Sequence, residues 1–134
     1  MDRWEKMEVN LECTYDHVKL EGKTYPCTVS LTMDLFGGKW KAVILYHLKD
    51  GEKRYNELRK EMPAITEMTL SLQLKQLEKD GLVSRKVHGE KPPIKVVYSL
   101  TAFGKNFIPV LEAITTLGNK IVVEKGEFVK GALI

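Results

Sequence analysis

The sequence predicts a mostly helical α+β fold, and three observations carry that expectation. From Thr28 to Glu78 apolar residues recur every three or four positions, the period of helices packed on one side. From Leu82 to Leu100 the period falls to two around a loop rich in glycine and proline, the pattern of a β-hairpin. After Thr101 the helical period returns and runs to Leu117. A length of 134 residues with 43% hydrophobic and 29% charged content suits one compact domain and lies far from the compositions that stay disordered.

Residues 1–26 mix charges with scattered apolar groups and end at Pro26, so they are expected to form an arm. Thr28 is placed to cap a short helix carrying Val29, Leu31, Leu35 and Phe36 before the Gly37-Gly38 break. In the next helix Trp40, Val43, Ile44, His47 and Leu48 share one face, and Asp50-Gly51 ends it. Trp40 and His47 therefore read as packing residues. Tyr55, Leu58 and Met62 make a shorter stripe that stops at Pro63, because the residue before a proline is pushed out of helical geometry. Thr66 then caps a longer helix with Leu70, Leu74 and Leu77 on one face, closed by Lys79-Asp80-Gly81. Two helices joined only by Pro63-Ala64-Ile65 outline a helix-turn-helix.

The hairpin pairs Leu82 to Val87 with Ile94 to Leu100, and His88-Gly89-Glu90-Lys91-Pro92-Pro93 forms its tip. Arg85, Lys86, His88, Lys91 and Lys95 make it basic, while Tyr98 reads as core. A helix-turn-helix followed by a basic hairpin is a winged helix-turn-helix. The long helix fits a DNA major groove about 12 Å wide, and the hairpin reaches backbone or minor groove beside it. After the cap Thr101, the stripe Phe103, Phe107, Val110, Leu111, Ile114 and Leu117 has no face left to cover in such a core, so a second copy of the chain is its expected partner. Pro109 should kink that helix or divide it. Residues 119–134 have weak periodicity and are expected to be a tail, leaving a folded domain at 27–118.

The net charge of +3 is unevenly spread. Residues 1–38 carry four Lys/Arg against seven Asp/Glu, residues 39–100 thirteen against eight, and residues 101–134 four against three. A basic middle behind an acidic arm suits a polyanion. The longest apolar run, Ala42 to Tyr46, is five residues, where a membrane span needs about 20. With no signal peptide behind its charged start, the chain is expected to be cytoplasmic. Cys13 and Cys27 are then thiols rather than a bridge. The spacing of Cys13, His17 and Cys27 matches no structural zinc site, and no cofactor is expected. The sequence has no Gly-rich phosphate loop, HExxH, GxSxG or CxxC, which disfavours an enzyme.

Pro26-Cys27-Thr28, Gly37-Gly38-Lys39-Trp40, Gly51, Arg54-Tyr55-Asn56-Glu57-Leu58-Arg59, Leu70 with Leu74 and Leu77, Asp80-Gly81-Leu82-Val83, Pro92-Pro93 and Tyr98-Ser99-Leu100-Thr101 stand in an order that resembles the HxlR-type transcription regulators, relatives of MarR. The likeness spans Pro26 to Leu117. It implies a dimeric bacterial DNA-binding protein with dimer contacts from its N- and C-terminal helices. It also implies a cysteine sensor at the position of Cys27, since several members respond to oxidants through that thiol. Three departures stand out: Gln73 where the family often has Arg, one extra residue between Pro93 and Tyr98, and Leu117 where Trp is usual.

Within this frame the DNA contacts expected from the long helix are Thr66, Thr69, Ser71 and Gln73, by their N-terminal placement, and Lys75 as a phosphate contact. Gln73 would read an adenine edge. Arg54 at the preceding helix and Arg85, Lys91 and Lys95 on the wing are expected at phosphate or in the minor groove. Cys27 would sit at the positive end of a helix dipole. The expected function is a homodimeric regulator on a pseudo-palindromic operator, responding to oxidants or electrophiles through Cys27. The alternatives are control by a small organic ligand, or a winged helix used for protein contact.

Overall fold

The computed structural model describes residues 16–131, and Cys13 and the rest of residues 1–15 lie outside them. The chain divides into two compact units at Gly37 and Gly38. In the first, β1 (Val18–Leu20) and β2 (Lys23–Tyr25) pair antiparallel with Val18 opposite Tyr25. Their turn places Glu21 at φ 46° and Gly22 at φ 82°, and two left-handed residues match the twist of a tight hairpin. The segment expected as a plain arm thus contains a hairpin. Helix α1 (Thr28–Phe36) packs on it, and the Tyr25 hydroxyl donates to Asp34 Oδ2 at 2.6 Å. Cys27, not Thr28, is the N-cap, and its side chain makes no capping bond. Thr28 begins the helix proper, with its carbonyl accepting the Thr32 hydroxyl at 2.8 Å.

The second unit runs α2 (Lys41–Leu48), β3 (Lys53–Arg54), α3 (Tyr55–Glu61), α4 (Glu67–Lys79), β4 (Val83–His88), β5 (Lys95–Leu100), a 3₁₀ turn (Gly104–Phe107) and α5 (Ile108–Lys125). Its core gathers Ile44, Leu45 and Leu48 of α2, Leu58 of α3 and the leucines 70, 74 and 77 of α4. Leu82, Val83 and Tyr98 close it from the sheet. Trp40 stays half-buried at the N-cap of α2, with the Lys39 ammonium 5.2 Å from its ring centroid. The core reading holds for Tyr98 and only in part for Trp40.

The hairpin β4–β5 has Arg85 opposite Tyr98, and β3 adds a short third strand on the other side of β5, with Lys53 opposite Tyr98. Lys53 Nζ and His47 Nδ1 lie 2.7 and 2.9 Å from the two carboxylate oxygens of Glu61, tying α2 and β3 to α3. The Lys53 bond, joined by the one from His47, holds the Glu61 carboxyl below the usual carboxylate range despite partial burial, and the same bond raises Lys53.

Two local devices fix the long helices. At the end of α4, Gly81 takes φ 82°, and the N–H groups of Gly81 and Leu82 donate to the carbonyls of Glu78 and Leu77, a Schellman stop. Thr101 joins that stop to the 3₁₀ turn. Its hydroxyl donates to the Gly81 carbonyl and accepts the Gly104 N–H at 2.9 Å, while its own N–H donates to the Leu82 carbonyl at 3.0 Å. A Cβ on Gly104 would lie 2.0 Å from that Leu82 oxygen, so only glycine fits. Pro109 falls in the first turn of α5, where a missing N–H is harmless, and the break it predicted is the preceding 3₁₀ turn. The helix then crosses the expected boundary at 118 and continues to Lys125 because Gly118 and Val122 keep a half-buried row going.

Candidate nucleic-acid interface

Helix α4 carries the expected reading residues, and its start is held by its own side chains. Thr66 Oγ1 accepts the Thr69 N–H at 3.2 Å and donates to Thr69 Oγ1 at 2.8 Å. The turn before it is pinned by Arg59, whose Nη1 donates to the Ile65 carbonyl at 2.8 Å, and by burial of Met62 and Ile65. Arg59 is thus a positioning residue for the turn. With Leu70, Leu74 and Leu77 inward, Thr69 and Gln73 fall half-buried on the flank, and Met68, Ser71, Leu72, Lys75 and Gln76 are exposed, with Glu67, Glu78 and Lys79 exposed towards the helix ends.

Tyr55, at the start of α3, reaches across to this helix. Its hydroxyl lies 3.2 Å from Ser71 Oγ and donates to the Glu67 carbonyl at 3.4 Å. The preceding residue, Arg54, is the N-cap of α3; its backbone N–H donates to Glu57 Oε1 at 3.3 Å, which leaves the guanidinium exposed. Pairing of β3 with β5 then brings Arg54 and Tyr55 beside the wing. A cleft of about 460 Å³ results, lined by Arg54, Tyr55, Asn56, Arg85, Ile94, Lys95 and Tyr98.

The structure therefore gathers Arg54, Arg85 and Lys95 around one cleft and puts Ser71 at its Tyr55 side. Lys75 lies further along α4, and Lys91 stands at the wing tip outside the cleft lining. Among the described residues, none of Arg54, Lys75, Arg85, Lys91 and Lys95 forms an ion pair, whereas Lys53 and Lys49 each have a carboxylate partner. Tyr55, Asn56, Ile94 and Tyr98 also line the cleft, and the sequence reading named none of them as site residues. For Tyr55 and Asn56 the signal was their place in the run Arg54 to Arg59 at a helix start.

The stripe expected at a dimer interface divides in two. Phe107 and Leu111 are 6% and 3% exposed in the single chain and belong to its own core, because the 3₁₀ turn folds that row inward. Phe103, Val110, Ile114 and Leu117 remain exposed, and Ile121 extends their row. Cys27 is a free, half-buried thiol at the start of α1. Among the described residues no helix is long and apolar enough to cross a membrane.

A family model for the HxlR-like helix-turn-helix matches residues 35–125. The HTH-type transcriptional regulator YdeP of Bacillus subtilis is 51% identical over 94 residues, covering 70% of this chain and 73% of YdeP. The redox regulator HypR in its oxidised form superposes with TM-score 0.67 at 46% identity, over 70% of this chain and 96% of HypR. Reduced YodB from B. subtilis gives TM-score 0.61 at 30% identity, over 69% and 90%, and that protein has also been crystallised diamide-treated and quinone-bound. A winged helix-turn-helix with a basic cleft, matched across most of its length by regulators of one kind, leads to one conclusion: the chain belongs to the HxlR-like helix-turn-helix family of transcriptional regulators.

Proposed function

We propose that the chain is a cytoplasmic, homodimeric regulator that binds a pseudo-palindromic operator sequence-specifically, α4 of each copy entering successive major grooves about one helical turn apart. The observation that carries this reading is the set of five basic side chains on β3, α4 and the β4–β5 wing, all without ion pairs among the described residues. An exposed guanidinium or ammonium held beside others of the same sign is stabilised by a phosphate backbone. Arg54, Arg85 and Lys95 grip phosphates around the cleft, with Lys75 and Lys91 at its margins. Thr66, Thr69, Ser71 and Gln73 address the groove, the threonines chiefly by fixing the helix start. The open row Val110, Ile114, Leu117 and Ile121 of α5, with the N-terminal arm, supplies the dimer contact.

Regulation runs through the Cys27 thiol, a reading supported by its place at the start of α1 and by relatives crystallised in oxidised and diamide-treated forms. Quinone-bound YodB favours a second effector class, a small electrophilic organic molecule. The test is an anisotropy titration of the protein against the DNA upstream of its own gene, with unrelated DNA as competitor, before and after diamide. Competitor-resistant binding that changes on oxidation, and fails to change in Cys27→Ser, supports both parts. A response that survives in Cys27→Ser removes Cys27, and binding equal for both DNAs removes the operator reading at that site.

A further inference from the structure

The exposed side of α4 carries two large apolar residues among polar ones. Met68 is 82% exposed and Leu72 is 51% exposed, one turn apart, while Ser71 between them is held by Tyr55. Neither apolar side chain contributes to the core, and exposing both to water gives the fold nothing. Lys75 lies about one turn beyond Leu72 on the same helix, Glu67 precedes Met68, and Tyr55 joins α4 to the cleft that carries Arg54, Arg85 and Lys95. A partner that is anionic at its rim and apolar at the centre satisfies both. In the DNA major groove only thymine presents an apolar group, its C5 methyl.

We infer that Met68 and Leu72 read thymine methyl groups, so that specificity at the centre of each half-site is apolar rather than hydrogen-bonded; this rests on the operator reading above. Residues four apart on a helix have Cβ atoms about 5–6 Å apart, and bases rise about 3.4 Å per step. The two methyls therefore lie one or two base pairs apart. The flexible thioether of Met68 tolerates either spacing.

The test begins with selection of sites from random DNA by the full chain, followed by replacement of each selected thymine by deoxyuridine, which removes the methyl and keeps the base pair. Met68→Ala and Leu72→Ala accompany the wild type. Both side chains are exposed and alanine is the better helix former, so both variants should fold, as thermal melts will check. The expected result is a pair of thymines one or two base pairs apart. Deoxyuridine at each weakens the wild type roughly fourfold, the value of one buried methyl. Each alanine variant loses that sensitivity at one of the two positions. Sequence-specific binding that ignores deoxyuridine, or alanine variants that keep the sensitivity, would overturn this inference and leave the operator reading intact. Absence of any sequence preference overturns both. A change of oligomeric state in the alanine variants with DNA binding unaltered assigns the patch to protein contact and overturns the inference too.

Discussion

The two long helices of the second unit solve opposite problems. Helix α4 has 13 residues and buries three leucines, leaving an exposed side that mixes hydroxyl, amide and charged groups with two large apolar ones. Helix α5 has 18 residues and fully buries only Leu111, leaving a row of Val110, Ile114, Leu117 and Ile121 with no charge in it. The inner face of each is core. The outer faces differ in what they can bind: one can exchange water for phosphates and base edges, the other only for another apolar surface. A helix face thus declares its partner by the polarity left over once the core is satisfied.

The contrast can be broken first on α5. Replacing Ile114 and Leu117 together by Glu puts two charges into the open row without touching the core, so the monomer should stay folded. Dimer mass in sedimentation should disappear, and affinity for a two-half-site operator should fall on the order of 10²-fold as avidity is lost. An unchanged mass would mean that some other surface covers the pair. On the α4 side, Arg54→Ala with Lys95→Ala should weaken binding to all DNAs roughly tenfold and lower the salt slope by about 0.9 per lost phosphate contact. Lys53→Ala is the control, since Lys53 already serves Glu61 and its loss should leave the slope alone. The smallest effect is expected from Thr66→Ala, which removes the cap of α4 and should cost about 1 kcal/mol in denaturant unfolding. A stability equal to wild type would show that Thr69 or water replaces the cap.

Much of this architecture is legible in the residues because the core helices are long enough for their period to speak. Ile44 and Leu48, then Leu70, Leu74 and Leu77, announce α2 and α4, and Gly81 marks a stop that the structure builds as a Schellman turn. Shorter elements stay silent. Strands of three residues in β1 and β2, and of two in β3, give too few alternations to register as a period. The cleft is invisible for another reason: Arg54 and Lys95 become neighbours only through the pairing of β3 with β5. Nor does periodicity separate Phe107 and Leu111 from Val110 and Ile114, because rows offset by about 100° on one helix belong to the same broad apolar arc. Only the packing of the 3₁₀ turn decides which row goes inside.

The knot of Gly81, Leu82, Thr101 and Gly104 closes the wing into a ring at its base. Core burial of Val83, Val97 and Tyr98 and the pairing of β3 with β5 hold the same base, so added length beyond the paired His88 and Lys95 costs only a slowly growing loop entropy. Residues 89–94, beyond the last paired residues His88 and Lys95, form the free end of the ring. Wing reach along a duplex can therefore be lengthened or shortened by insertion at residues 89–94 while the strand pairing and the knot at the base stay in place.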